Sequence, residues 1–266
     1  MPETTIQPAK SFHQVVAKNA AQWPERTYVH CIDQDKSLSY GALYGVSNRV
    51  ARFLKNRDIQ ANDRVLLLAE NSVENLAVFV SVLRYGATLA TVQVEMNKAN
   101  LSEIIVAIAP KVVLYQEGLG LEDLQVGAPG EWFALGEWQA DDSAATGWFA
   151  EIAGLSDEDD IETIARPDDH GVIFYTSGTV AKPKGVIQTH ATAYYNYDAT
   201  ADYLQLAPGD KTFDCRSYSW LSAQHMSLGA PLVAGATTII AKNFSQSRYL
   251  GWLKTYEANV GFVVPT

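Results

Sequence analysis

Apolar residues recur at helical spacing through Val46, Val50, Phe53 and Leu54, which predicts an amphipathic helix with one core-facing stripe. The run over residues 65–69 differs. It is apolar without alternation, as expected of a parallel strand covered on both faces. Helical spacing returns at Leu76, Val80 and Leu83 and stops at Gly86, a residue suited to a left-handed helix C-cap. Residues 111–115 and 171–176 read as two more buried strands, and 260–264 as a strand-like run near the chain end. This alternation of strand and helix predicts an α/β fold with a largely parallel sheet, in which strands before Asn71 and before residue 177 are buried neighbours.

One segment breaks the pattern. Between Gln116 and Asp169 the chain clusters Gly, Trp and acidic residues, including Asp141, Asp142 and the run Asp157, Glu158, Asp159, Asp160. We expect a variable, solvent-facing connection here, with a strand at 131–135. The acidic runs are expected to be solvated surface. A metal site from Asp157, Asp159 and Asp160 is the alternative, but the run lacks the Gly and terminal Glu of a calcium loop. No internal repeat is visible.

Composition narrows the function classes. The chain has 266 residues, 47% of them apolar and 19% charged, as in an ordinary globular protein with a sizeable core. Its formal net charge of −10 leaves no basic stripe for neutralising nucleic-acid phosphates. Cys31 and Cys215 have no metal-ligand spacing around them, so a reduced, cytoplasmic setting is the expectation. The first residues show neither a basic region nor an apolar run, so no signal peptide is expected. No apolar stretch is long enough for a membrane span.

The strongest chemical signal begins where the strand at 171–176 ends: Tyr175-Thr176-Ser177-Gly178-Thr179-Val180-Ala181-Lys182-Pro183-Lys184-Gly185-Val186. A turn of small residues exposes backbone N–H groups, and such a nest of donors suits an anion. Hydroxyls add donors, and lysine supplies a compact positive charge. The segment reads as a phosphate-gripping loop. It is not the nucleoside-triphosphatase loop, because Gly178 and Gly185 have the wrong spacing and Val186 stands where that pattern needs lysine.

The segment resembles the signature of the adenylate-forming enzymes: acyl-CoA synthetases, adenylation domains of peptide synthetases, and luciferases. Tyr175, Thr176, Ser177, Gly178, Thr179, Pro183, Lys184 and Gly185 match it. Val180 replaces a usual hydroxyl, and Ala181 a usual glycine, which penalises any positive-φ conformation there. Further landmarks follow in the family's order: Ser39-Tyr40 with Leu43, then Asp63, Val65, Asn71 and Ser72, then Arg84 to Ala87. Downstream come His190, a helix-start histidine, and Trp220, at or near the histidine of the family's "P-x-F-H". Gly235 to Ile240, Phe244 and the closing Val264-Pro265-Thr266 complete the series.

The resemblance implies a partial large N-terminal domain of an adenylate-forming enzyme, with layered, parallel-rich sheets and helices. It implies an ATP-dependent carboxylic acid–CoA ligase, with ATP, magnesium and coenzyme A as reactants or cofactors and a small carboxylic acid as substrate. Thr176, Ser177, Gly178, Thr179 and Lys184 would hold the β- and γ-phosphates, with Lys182 a weaker candidate. Trp220 would line the acyl pocket. His190 is either a structural residue at a helix start or a support near the nucleotide, and His225 is an unassigned core or surface residue. No catalytic group or metal ligand is assigned. The family's adenine loop with its magnesium-binding glutamate, its ribose-gripping aspartate and its small domain with a catalytic lysine have no counterpart in residues 1–266. We therefore expect a truncated domain that is inactive alone. Two alternatives stay open: a degenerate, non-catalytic nucleotide- or acyl-binding module, and an amino-acid adenylation domain. A nucleotide kinase is disfavoured by the missing Gly-Lys-Ser/Thr.

Overall fold

A computed structural model describes residues 11–158, 160–176 and 184–263. Helix α1 (Phe12–Gln22) starts at a capping box, in which the Ser11 hydroxyl accepts from Gln14 N and the Gln14 side chain accepts from Ser11 N. Strands β1 (Thr27–Cys31) and β2 (Lys36–Ser39) form an antiparallel hairpin. Helix α2 (Tyr40–Asn56) carries the predicted stripe, with Leu43, Val46, Val50, Phe53 and Leu54 all buried. Strand β3 (Arg64–Leu68), helix α3 (Val73–Tyr85) and strand β4 (Thr88–Thr91) form a parallel strand–helix–strand unit. Ser72 caps α3, and Gly86 ends it at φ 103°. Every residue of α3 is buried, because the helix packs against β1 on one side and β3 and β4 on the other.

Helix α4 (Lys98–Ile108) leads to β5 (Val112–Tyr115) and then β6 (Glu131–Ala134), helix α5 (Gly147–Ala153), and the hairpin of β7 (His170–Thr176) and β8 (Lys184–Thr189). These strands join one sheet in the order β6-β5-β3-β4-β7-β8, parallel except for β8. Helix α6 (His190–Tyr203) then precedes β9 (Lys211–Asp214). Helix α7 (Leu221–Ala223) passes through a π-helical stretch, Gln224–Gly229, into α8 (Ala230–Ala234). Strand β10 (Thr237–Ile240), helix α9 (Tyr249–Thr255) and β11 (Val260–Gly261) follow. The second sheet reads β11-β9-β10-β1-β2.

The layered α/β architecture agrees with the sequence reading, with three differences. Strands β3 and β7 share a sheet, but β4 lies between them. Its four residues, Thr88-Leu89-Ala90-Thr91, follow the helix too closely to stand out as a separate apolar run. The strand-like run at 260–264 pairs only over Val260 and Gly261, and Val264 lies outside the described residues. The segment 116–169 is not simply a surface connection. Helix α5 inserts Trp148, Phe149 and Ile152 into the main core, with Trp148 2% exposed and edge-on to Phe53.

The acidic run has a structural use, which corrects its reading as plain solvated surface. Asp157 pairs with Arg49 at 3.0 Å, and Asp142 pairs with the same guanidinium at 2.6 Å. Asp160 pairs with His13 at 3.0 Å and bonds to Arg84, whose side chain is fully buried. Arg84 needs a countercharge because an unpaired buried cation is costly. Among the described residues no group of three or more His, Cys, Asp or Glu is arranged to hold a metal ion; Asp159 lies outside them.

Candidate functional site

The signature segment is framed by the β7–β8 hairpin. Thr176, the last residue of β7, pairs with Lys184, the first of β8. Because β7 runs parallel to β4, this pair stands at the carboxyl edge of its sheet, where ligands of open α/β sheets bind. Ser177, Gly178, Thr179, Val180, Ala181, Lys182 and Pro183 lie outside the described residues. Lys184 is exposed, and Tyr175 is half-buried with its phenol pKa raised by burial. Tyr175 lies across from Gly185, where a Cβ would stand 3.1 Å from the ring carbon Cζ. Glycine at 185 therefore lets the tyrosine ring settle on the hairpin.

The second wall comes from the other sheet. Asn71 follows β3, and its side-chain amide donates to the Arg216 carbonyl at 2.8 Å and to the Ala241 carbonyl at 3.3 Å. Its Oδ1 accepts from Tyr218 N at 3.2 Å. The carboxyl edges of the two sheets thus meet at one buried asparagine. Gln224, fully buried at the start of the π-helical stretch, adds a second tie by donating to the Thr91 hydroxyl at 3.2 Å and the Tyr218 carbonyl at 2.8 Å. Thr91 ends β4, the strand next to β7. Trp220 stands just before α7 on this wall and is 41% exposed, an uncommon state for so large an apolar surface.

Asp214 closes β9 with its side chain fully buried. It accepts from Arg216 N at 2.9 Å, from Arg216 Nε and Nη2, and from the Ser227 hydroxyl. Burial, helped by the Asp214 charge, pushes the neighbouring Cys215 thiol up to about 11, so it stays protonated and unreactive at neutral pH. Tyr218 is likewise held far above its usual range, by burial first and by Asp214 second.

The two histidines resolve differently. His190 is the first residue of α6, capped by Thr189, which pairs with His170 at the amino end of β7. A strand rising about 3.3 Å per residue separates it from Thr176 by roughly 20 Å. Its ring is 8% exposed and packs edge-on to Phe12. Burial lowers its pKa to about 4 against the opposing pull of Asp169. His225 lies in the π-helical stretch, where its ring nitrogen Nε2 stands 3.3 Å from the Gln188 side chain of β8 and its ring meets Tyr197 edge-on. It couples the hairpin to the second wall.

Sequence reasoning gave Asn71 a place in a motif but no role, and it missed Gln224, Asp214 and Arg216. Polar residues directly after continuous apolar strands were the available signal.

Comparison with known proteins fits this geometry. The family model described as AMP-binding enzyme matches residues 16–266. Tyrocidine synthase 1 of Brevibacillus parabrevis is 29% identical over 181 residues, which is 68% of this chain and 15% of that protein. The 3-hydroxybenzoate–CoA ligase of an Aromatoleum species is 26% identical over 86% of this chain and 44% of that one. The luciferase-like enzyme from the nonluminescent mealworm Zophobas morio superposes with a TM-score of 0.82 at 21% identity, covering 98% of this chain and 61% of that one. The chain thus spans less than two thirds of the length of each of these three proteins. The match over residues 16–266 settles the family: this chain belongs to the AMP-binding, adenylate-forming enzymes.

Proposed function

We propose that the chain is the first part of the large domain of an ATP-dependent acid–CoA ligase. The observation that carries this is the Thr176–Lys184 pair, which opens the signature loop at the carboxyl edge of a parallel sheet. The substrate carboxylate oxygen attacks the α-phosphorus of ATP, the bond to pyrophosphate breaks, and an acyl-adenylate forms. A thiol then displaces AMP. Such chemistry rests on positioning and on stabilising phosphate charge. Thr176, Ser177, Gly178, Thr179 and Lys184 hold the β- and γ-phosphates in this reading, so the leaving pyrophosphate is met by hydroxyls, backbone N–H groups and one ammonium. Trp220 offers the acid's tail a broad apolar face.

The 3-hydroxybenzoate–CoA ligase relative supports coenzyme A as the acceptor, while the tyrocidine synthase relative supports an amino-acid adenylation domain as the second reading. The deciding assay uses the complete natural gene product with ATP, an acid and free coenzyme A. A soluble acyl-CoA and AMP are expected. Adenylate formation with transfer only to a carrier-protein thiol favours the second reading. The 266-residue chain alone is expected to form no acyl-adenylate.

A further inference from the structure

We propose a second small-molecule site, at the amino edge of the sheet that carries β7. A cavity between α1, α3 and α6 takes a short-chain carboxylate there, its apolar body inside and its charge on Arg166. The site stands apart from the handling of ATP, since His190 in its lining lies roughly 20 Å from Thr176 along β7. The cavity has a volume of about 110 Å³. Buried Phe12 and Leu83 form its apolar floor, with Ala165, Pro167 and Ala191 around them. An apolar cavity of about 150 Å³ takes benzene, so this one suits a body of about four or five carbons. Its wall is pre-formed. Ile164 N donates to the Tyr85 carbonyl at 2.9 Å and Ala191 N to the Pro167 carbonyl at 2.9 Å, which fastens residues 164–167 to α3 and α6.

The polar groups of the lining decide the ligand's charge. The Ser11 hydroxyl is committed, accepting from Gln14 N at 3.2 Å. So is the Thr163 hydroxyl, which donates to the Tyr85 carbonyl at 3.3 Å and accepts from Ala165 N at 3.3 Å. His190 is 8% exposed, and its Nε2 has no hydrogen-bond partner among the described residues. Burial keeps that imidazole neutral near pH 7, so the floor carries no charge. Arg166 is exposed at the mouth, and its guanidinium forms no ion pair among the described residues. The Asp169 carboxylate beside it accepts instead from Arg166 N at 2.7 Å and from the Asn62 amide at 2.8 Å. A guanidinium matches a carboxylate with two parallel hydrogen bonds. A neutral amide gains less there, and an ammonium meets a charge of its own sign.

The test is a methyl NMR titration of the complete gene product, labelled at alanine and leucine methyls. The probes are 3-methylbutanoate, its neutral isostere 3-methylbutanamide, and 3-methylbutan-1-amine. The Leu83, Ala165 and Ala191 methyls should shift saturably with the carboxylate, with a Kd on the order of 1 mM. The amide should bind about threefold or more weakly, and the amine more weakly still. Arg166→Gln, at an exposed position, should keep the shifts but erase the preference for carboxylate over amide. No saturable shift at these three methyls, or equal affinity for the three probes, overturns the proposal. So does a carboxylate preference that survives in Arg166→Gln. If removing residues 1–10 shifts these methyls and the acid does not, the cavity belongs to the chain itself and the proposal falls. The wild-type comparison of the three probes decides the ligand's charge whether or not the variant folds.

Discussion

Asn71 donates its side-chain amide to the main-chain carbonyl of Arg216 at 2.8 Å, so the turn after β3 of one sheet is bonded to the loop after β9 of the other. The same side chain reaches Ala241 and Tyr218 and is only 4% exposed. One residue therefore registers the hairpin's sheet against the Trp220 wall. Asn71→Ala leaves three main-chain groups without that partner, at roughly 1–3 kcal/mol for each group left buried and unsatisfied. We expect a fall in stability of about 2–4 kcal/mol and a rise in the KM for the acid, measured by urea denaturation and steady-state kinetics.

Gly229 is where Tyr197 crosses the π-helical stretch, and a Cβ there would lie 2.1 Å from the Tyr197 ring. The ring is fully buried, so it has no room to retreat. Gly229→Ala should destabilise by about 1–3 kcal/mol, as overpacking of a close-packed core does. Gly251→Ala, with open space at its Cβ, is the control and should leave the melting temperature nearly unchanged.

Asp160→Asn removes the countercharge of fully buried Arg84 and the partner of His13. Because the aspartate itself is partly exposed, the loss is expected at about 1–3 kcal/mol rather than the full cost of a buried pair. A thermal melt checks it.

His190 makes stability pH-dependent. Its folded pKa, about 4, lies below the ordinary imidazole value of 6.5. Between those values the unfolded chain binds the proton and the native state does not, so stability falls as pH drops from about 6.5 to about 4 and levels below it. Burial depresses His225 and His30 in the same direction. For His190 alone the change is on the order of 2–4 kcal/mol. His190→Gln should flatten that part of the curve in denaturant titrations from pH 4 to 7, and an unchanged slope would remove His190 as its source.

How much was legible beforehand depended on whether the signal was local. The stripe of α2, the continuous apolar run of β3 and the Gly86 stop of α3 are local facts, and each element formed where its residues pointed. Strand β4 was hidden because four residues beside a helix end carry no period. The buried work of Asp160 depends on Arg84, distant in sequence, and the ties made by Asn71 and Gln224 depend on how two sheets meet. The π-helical turn leaves no spacing mark. The signature residues were readable as chemistry, while the distance between His190 and the hairpin tip followed only from the antiparallel pairing of β7 and β8.

Lys184 is exposed at the head of β8, so its replacement should spare the fold. This makes it the sharpest test of the central claim, that the β7–β8 hairpin grips the phosphates of ATP. The measurement is acid-dependent pyrophosphate–ATP exchange by the complete gene product and its Lys184→Ala variant, with ATP and acid varied separately. A lost charge-assisted hydrogen bond predicts a ten- to hundredfold rise, roughly, in the KM for ATP with the KM for the acid nearly constant and the melting temperature unchanged. Unchanged ATP kinetics in the variant, or wild-type protein that exchanges no pyrophosphate with any acid, would contradict the account.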